Sequence, residues 1–471
     1  MRNRLSAFLL VICIFPFSFA QAPDRQQFIR TEAPVFALTH VRVIDGTGAA
    51  PKDDQTIVVS DGKIQSVEPN SSAKVPANAQ TMDLTGYTVL PGLVGMHNHM
   101  FFPMGGTPPM YSDMGSSFPR LYLANGVTTI RTTGSVAPYT DLEIKKLIDA
   151  GRMIGPKMHI TAPYLEGNGS FTPVMHTLAD ANDARRMVNF WADEGATSFK
   201  AYMHITRAEL GAAIQEAHKR GMKLTAHLCS VTFREAAALG IDDLEHAFYV
   251  STDFVADKKP DECPGQSVGQ KAVADVDPNS DAVRSLIADL VSHKVALTST
   301  PTVFETFVPG RPLPPGLELL DPQLRAAFEQ RKAAIDTSTT SVWRTLFAKG
   351  QAMELAFVRA GGTLLVGTDP TGIGGVVAGY SNQRALELLV EGGFTPLEAI
   401  RIGTLNGATF LGRANRTGSI AIGKDADLVV IAGDPSVRIG DVRNVQIVFK
   451  QGVGYDPAKL IASVKGKVGL F

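Results

Sequence analysis

"PGLVGMHNHM", residues 91 to 100, places two histidines one residue apart at the end of an apolar run. Successive side chains of a strand point to opposite faces, so His97 and His99 project from one face and Asn98 from the other. That arrangement suits two ligands at a strand end. Among ten histidines, however, the pair alone reads equally well as two surface imidazoles. Its meaning depends on what the neighbouring strands carry.

From about Leu93 to Leu411 the chain alternates short apolar runs with helical periodicity. The runs "LVGMHNH", "VTTIRTTG", "KMHITAPYL", "ATSFKAYM", "KLTAHLC", "DDLEHAF", "VALTSTPTV" and "TLLVGTD" read as eight strands. Helical patterns such as "RAELGAAIQEAHKRG" and "MELAFVRAGG" lie between them and end at glycine, where a helix C-terminus favours it. Eight strands with intervening helices predict an α/β protein, a (β/α)8 TIM barrel over residues 92–411; an open doubly wound sheet is the alternative.

Both flanks read differently. "FALTHVRVIDG", "QTIVVSDGKIQSVE" and "TMDLTGYTVLPG" are short β-type runs separated by turn signals, and the same texture returns in "GSIAIGKDADLVVIAGDP" and "VQIVFKQGVGY". Residues 35–91 and 412–471 are therefore expected to form one small β-sandwich domain assembled from both ends of the mature chain. Residues 21–34 read as a linker.

A barrel places its chemistry at the C-terminal strand ends. His97 and His99 end the first expected strand, Lys200 the fourth, His227 the fifth, His246 the sixth and Asp369 the eighth. Singly, each has an ordinary explanation: a hydrogen-bonded core histidine, a snorkelling lysine, a turn-starting aspartate. Together, at different strand ends, they converge on one mouth. His204, His218 and His293 fall outside this pattern and read as structural or surface residues.

Four imidazoles and a carboxylate suit a borderline divalent ion, zinc first, with manganese, cobalt, iron or nickel also compatible. An ammonium group among dications would be repelled. A carboxylated Lys200 would instead be an anion able to bridge two metals.

The composition agrees with small-molecule chemistry. A 471-residue chain that is 44% hydrophobic and 19% charged is globular, and a net charge of -1 leaves no electrostatic footprint for nucleic acid. The N-terminus "MRNRLSAFLLVICIFPFSFAQAPD" has the charged, apolar and small-residue order of a signal peptide, residues 1–20, cleaved before Gln21. A secreted or periplasmic protein, free of the membrane after cleavage, is expected. Of three cysteines, Cys13 lies in this leader; Cys229 and Cys263 are too few for a disulfide framework, and a single bridge between them is the less favoured reading.

"GMHNHM", Lys200 in "TSFKAYM", His227 in "LTAHLC", His246 in "DLEHAF" and Asp369 in "VGTDPTG" resemble the metal-dependent amidohydrolase superfamily in its binuclear form with a carboxylated lysine. The split β-domain and the closing "TPLEAIRIGTLNGATFLG" are similar to its plan. Within it, the imidazolonepropionase-like group, which includes prolidase-like dipeptidases, is the nearest match. The resemblance implies two divalent ions: His97, His99 and Asp369 hold one, His227 and His246 the other, and carboxylated Lys200 bridges them. It implies attack by a metal-bridging hydroxide, with Asp369 as the catalytic base.

Departures from the pattern concern the substrate. The segments "LEGNGSFTPVMH" and "HLCSVTF" leave His176 as a displaced candidate and put Leu228 and Cys229 where relatives carry an aromatic hydroxyl. Tyr202 or Tyr164 could supply the hydroxyl, and Arg131 a substrate carboxylate contact. The expected activity is hydrolysis of a peptide-type amide, a dipeptide or an N-acyl amino acid. A cyclic amide hydrolase or deaminase of the imidazolonepropionase type is the alternative, and a non-enzymatic metal-binding protein a third. Partners are a small-molecule or peptide substrate, with a homo-oligomer compatible.

Overall fold

The computed structural model describes residues 25–106, 108–170 and 172–470. The expected leader lies outside them. Eight parallel strands carry the middle of the chain: β1 (Leu93–Asn98), β2 (Val127–Thr132), β3 (Lys157–His159), β4 (Ser198–Ala201), β5 (Lys223–Ala226), β6 (Asp243–Glu245), β7 (Ala296–Ser299) and β8 (Leu364–Val366). They are hydrogen-bonded in two runs, β3-β2-β1 and β4-β5-β6-β7-β8. Past β3, a parallel bridge from Thr161 to Ser198 and the bond from Ala162 N to Ser198 O at 3.0 Å meet β4. Past β8, the amides of Thr368 and Asp369 both donate to His97 O, at 2.8 and 3.0 Å. This is a (β/α)8-like arrangement, and the second seam delivers Asp369 to the end of β1.

Parallel neighbours need crossover helices, and the sequence punctuates these clearly. The helix Arg207–Lys219 starts at a capping box of Thr206 and Glu209, and Phe233–Leu239 at one of Thr232 and Glu235. Trp343–Arg359 ends just before Gly361, whose φ of +95° is the left-handed conformation that stops a helix. The apolar faces of these helices and the outward side chains of the strands share one large core containing Ile130, Phe199, Leu244, Leu297 and Leu364.

The flanking segments form a nine-stranded sheet drawn from both ends of the described chain, from Ile29–Thr31 to Val453–Tyr455. It has its own core, including Phe36, Ile57, Val89, Leu428 and Phe449. Phe36 and Phe449 stack at 4.9 Å although two other strands separate theirs along the hydrogen-bonded path. At about 4.8 Å per strand, a flat sheet would hold them roughly 14 Å apart, so the sheet folds over.

Two expectations are corrected. Within the segment read as a linker, residues 25–34 contain a 3-10 turn, Arg25–Phe28, and the edge strand Ile29–Thr31, which pairs with Val453–Tyr455. Their polar text conceals a strand because its partner lies more than 400 residues away. Cys229 and Cys263, expected to be unpaired, form a disulfide with Cα atoms 4.9 Å apart. The fold brings the segment after β5 against the loop that precedes the helix Gln266–Asp275.

Candidate metal centre

The six expected ligand-type residues gather at the C-terminal ends of the strands. His97 and Lys200 lie within β1 and β4; His99, His227, His246 and Asp369 follow the ends of β1, β5, β6 and β8. His246 and Asp369 hold φ values of +66° and +50°, uncommon for residues with a Cβ. Each occupies the turn that leaves its strand, which directs its side chain back over the mouth.

Among the described residues, His97, His99 and Asp369 form a group whose candidate ligand atoms all lie within 4.8 Å of one another. Nε2 of His99 is 3.2 Å and Nε2 of His97 3.7 Å from Asp369 Oδ1; His246 Nε2 is 3.9 Å from Oδ2. The His246 ring lies 4.7 Å from that of His97 and 4.4 Å from that of His227. Lys200 Nζ is 3.4 Å from His97 Nε2 and donates to Thr133 O at 3.3 Å.

The supporting contacts decide which ring nitrogens are free to bind a cation. His97 Nδ1 lies 2.8 Å from Glu245 Oε2, and His99 Nδ1 3.3 Å from the Gly134 carbonyl. Neither acceptor can donate, so both Nδ1 atoms carry the proton and both Nε2 atoms present a lone pair. Those lone pairs face the Asp369 carboxylate. Acceptors converging on acceptors in a buried site repel one another unless a cation lies between them, and three such donors suit a divalent ion. His246 Nδ1 is held by Thr300 Oγ1 at 2.8 Å, and Thr371 Oγ1 donates to Asp369 Oδ1 at 2.8 Å.

Electrostatics point the same way. Burial drives His97 down to about 4 and His227 to about 3, with the nearby Lys200 charge adding to both. Burial, then the neighbouring imidazoles, hold His246 well below its ordinary value. All three imidazoles are neutral at neutral pH. Burial opposes charge on Asp369, but the surrounding imidazoles, His97 first, keep it well below the usual carboxylate range. Burial lowers Lys200 to about 8, against the pull of Glu245 and Asp369.

Two proposed substrate residues are corrected. Arg131 is fully buried: its Nη2 donates to Glu245 Oε1 at 2.6 Å and Asp243 Oδ2 at 3.3 Å, and its Nε to Met96 O at 2.8 Å. It serves the carboxylates beneath the site and is not available to a substrate. His176 is on the surface, paired with Asp183 at 3.1 Å. Tyr202 is brought in: its ring lies 4.9 Å from His227 and 5.0 Å from Tyr164, and both tyrosine rings flank Lys200 Nζ at 5.7 and 5.3 Å. Phe101, opening the proline-rich segment, stacks on His99 at 4.3 Å.

Sequence reasoning missed Glu245, Asp243, Thr300 and Thr371. The first two had a readable signal, because alternation in "DDLEHAF" turns Asp243 and Glu245 to one face of β6. Two carboxylates side by side in a strand interior require a cation, which Arg131 supplies.

A buried set of neutral imidazoles and an ionised carboxylate at the strand ends defines a metal-dependent enzyme of the hydrolase class. The amidohydrolase family model matches residues 88–256 and 348–468, and the chain belongs to that family. The fold is shared with a bottromycin amidohydrolase (TM-score 0.70, 20% identity, covering 93% of this chain and 92% of that one). It is shared with a Xaa-Pro dipeptidase carrying methionine in its active site (0.66, 18%, 90% and 100%) and with a putative prolidase from Bifidobacterium longum (0.64, 24%, 91% and 98%). The search of curated proteins found no match.

Proposed function

We propose that this protein is an exported hydrolase of small peptide-type amides, a dipeptide or an N-acyl amino acid, working with two divalent ions, zinc first. The convergence of the His97 and His99 lone pairs on Asp369 is the observation that carries the reading. The second ion falls to His227 and His246, whose rings adjoin the triad. Lys200 would join the two as a carbamate: its neutral amine adds to carbon dioxide and loses a proton, giving an anion where an ammonium would be repelled. A closed barrel fits the bonds at both seams, and a β-sandwich fits the folded terminal sheet.

Two such ions, when bound, lower the pKa of a water and polarise the amide carbonyl. Asp369, ionised and oriented by Thr371, accepts the proton of the attacking water and returns it to the departing amine. His97, fixed by Glu245, and His99, fixed by Gly134 O, keep their Nε2 atoms aimed at this point. Phe101, Tyr164 and Tyr202 wall the site with aromatic surface, which favours an apolar group on one side of the scissile bond.

The kinship in fold with a Xaa-Pro dipeptidase supports a peptide-type substrate. Export is supported by the leader-like N-terminus together with the Cys229–Cys263 disulfide, since such bonds persist in oxidising compartments. Metal analysis of the purified protein, followed by hydrolysis of a library of dipeptides and N-acyl amino acids, tests the proposal. Cleavage of library members is expected. An enzyme that leaves all of them intact but opens a lactam, hydantoin or imidazolone ring would replace this reading with the cyclic-amide one.

A further inference from the structure

A cavity of about 380 Å³ lies at the opposite, N-terminal ends of β2 and β3, where they meet the chain that follows Leu411. Five of its lining residues are cations and two are carboxylates. Lys157 and Arg416 are held by Asp425 at 2.8 and 3.1 Å, and Lys157 also by Asp427 at 2.7 Å. Lys145 is held by Asp149. Two cations remain after these pairings.

Arg413 makes no side-chain hydrogen bond or ion pair among the described residues. Lys450 is 8% exposed, and its ammonium donates to one carbonyl, Gly155 O, at 2.7 Å. An ammonium has three donors, so this one is under-satisfied. Thr129 also lines the cavity, and its Oγ1 is fully buried with no hydrogen-bond partner among the described residues. A buried hydroxyl without a partner is uncommon enough to require an explanation. His159, on β3 beside these groups, is pushed down to about 4, first by burial and then by the Arg413 charge, with Asp149 opposing.

We propose that this cavity binds a small oxyanion of the phosphate class, received by the Arg413 guanidinium, the Lys450 ammonium and the Thr129 hydroxyl. The ligand supplies what the wall lacks: negative charge for two unpaired cations and acceptor oxygens for the hydroxyl. The volume exceeds that of a bare phosphate, so the same chemistry accommodates the free ion or a small organic phosphate. The site is separate from the metal centre, which occupies the other ends of the strands.

Selenate soaked into crystals of the metal-loaded enzyme locates the site by anomalous scattering. Calorimetry with inorganic phosphate and with glycerol 3-phosphate, in wild type, Arg413→Gln and Thr129→Val, measures it. Arg413 is exposed, so its replacement leaves the core intact. An anomalous peak between Arg413 and Lys450 is expected, with phosphate affinity about ten-fold weaker in Arg413→Gln through loss of one charge-assisted contact. Tighter binding of glycerol 3-phosphate assigns an organic phosphate, and equal binding the free ion. A cavity without selenate, or phosphate binding unchanged in both variants, as adsorption at the metal centre would give, overturns the proposal.

Discussion

His97 Nδ1 stands 2.8 Å from one oxygen of Glu245, and the other oxygen of that carboxylate receives Arg131 Nη2 at 2.6 Å. The contact fixes the tautomer of a metal ligand from beneath, and the guanidinium keeps the carboxylate ionised. Asp243 shares the same arginine and is pushed the other way, by burial and by its neighbour's charge. Glu245→Gln can accept from only one of the two donors. Metal affinity, titrated with a chromophoric competitor, should fall about 10- to 100-fold. Unchanged affinity would remove Glu245 from this role.

Arg131→Met leaves the ionised Glu245 buried without its counterion. Loss of one partner from a buried charge group typically costs about 3 to 5 kcal/mol. Chemical denaturation should show a drop of that order. A variant of wild-type stability would mean that the Glu245 charge is balanced by some other group.

Asp369→Asn retains an oxygen that can coordinate but cannot accept a proton. With metal loaded to wild-type content, turnover should fall by about 10² to 10⁴. A metal-loaded variant with normal rates would show that the proton goes elsewhere.

The Cys229–Cys263 bridge closes a 34-residue separation and begins two residues after His227. Replacing both cysteines with serine should cost about 2 to 4 kcal/mol in unfolding free energy. Denaturant midpoints of the two proteins, compared without reductant, give the measurement; coincident curves would contradict it.

Glu354, buried on the helix Trp343–Arg359, is raised by burial from the ordinary 4.5 to about 8. A raised folded value means stability that is full below about pH 4.5 and lost as pH rises through about 8. Within that window the wild type should lose about 1.4 kcal/mol per pH unit relative to Glu354→Gln. Parallel stability profiles between pH 5 and 8 would show that the carboxyl is already charged in the fold.

The grouping of residues at the strand ends was legible in the sequence for a definite reason. A parallel strand run brings its C-terminal ends together, so His97, Lys200, His227, His246 and Asp369 could be grouped without knowing any distance. The corrected residues lacked such a rule. Arg131 also ends a strand, but its inward direction into a pair of carboxylates depends on the register of β2 against β1 and on the side chains of β6. His176 lies in a loop, where spacing carries no direction. The strand Ile29–Thr31 and the Cys229–Cys263 bridge arise from contacts between distant segments, which local pattern does not encode.

The most direct test strips the enzyme of metal and returns zinc in measured equivalents while hydrolysis of a cleaved dipeptide or N-acyl amino acid is followed. The account predicts no turnover without metal and activity that rises until two equivalents per chain are bound. Full turnover by the metal-free protein would contradict it, and saturation at one equivalent would limit the centre to His97, His99 and Asp369.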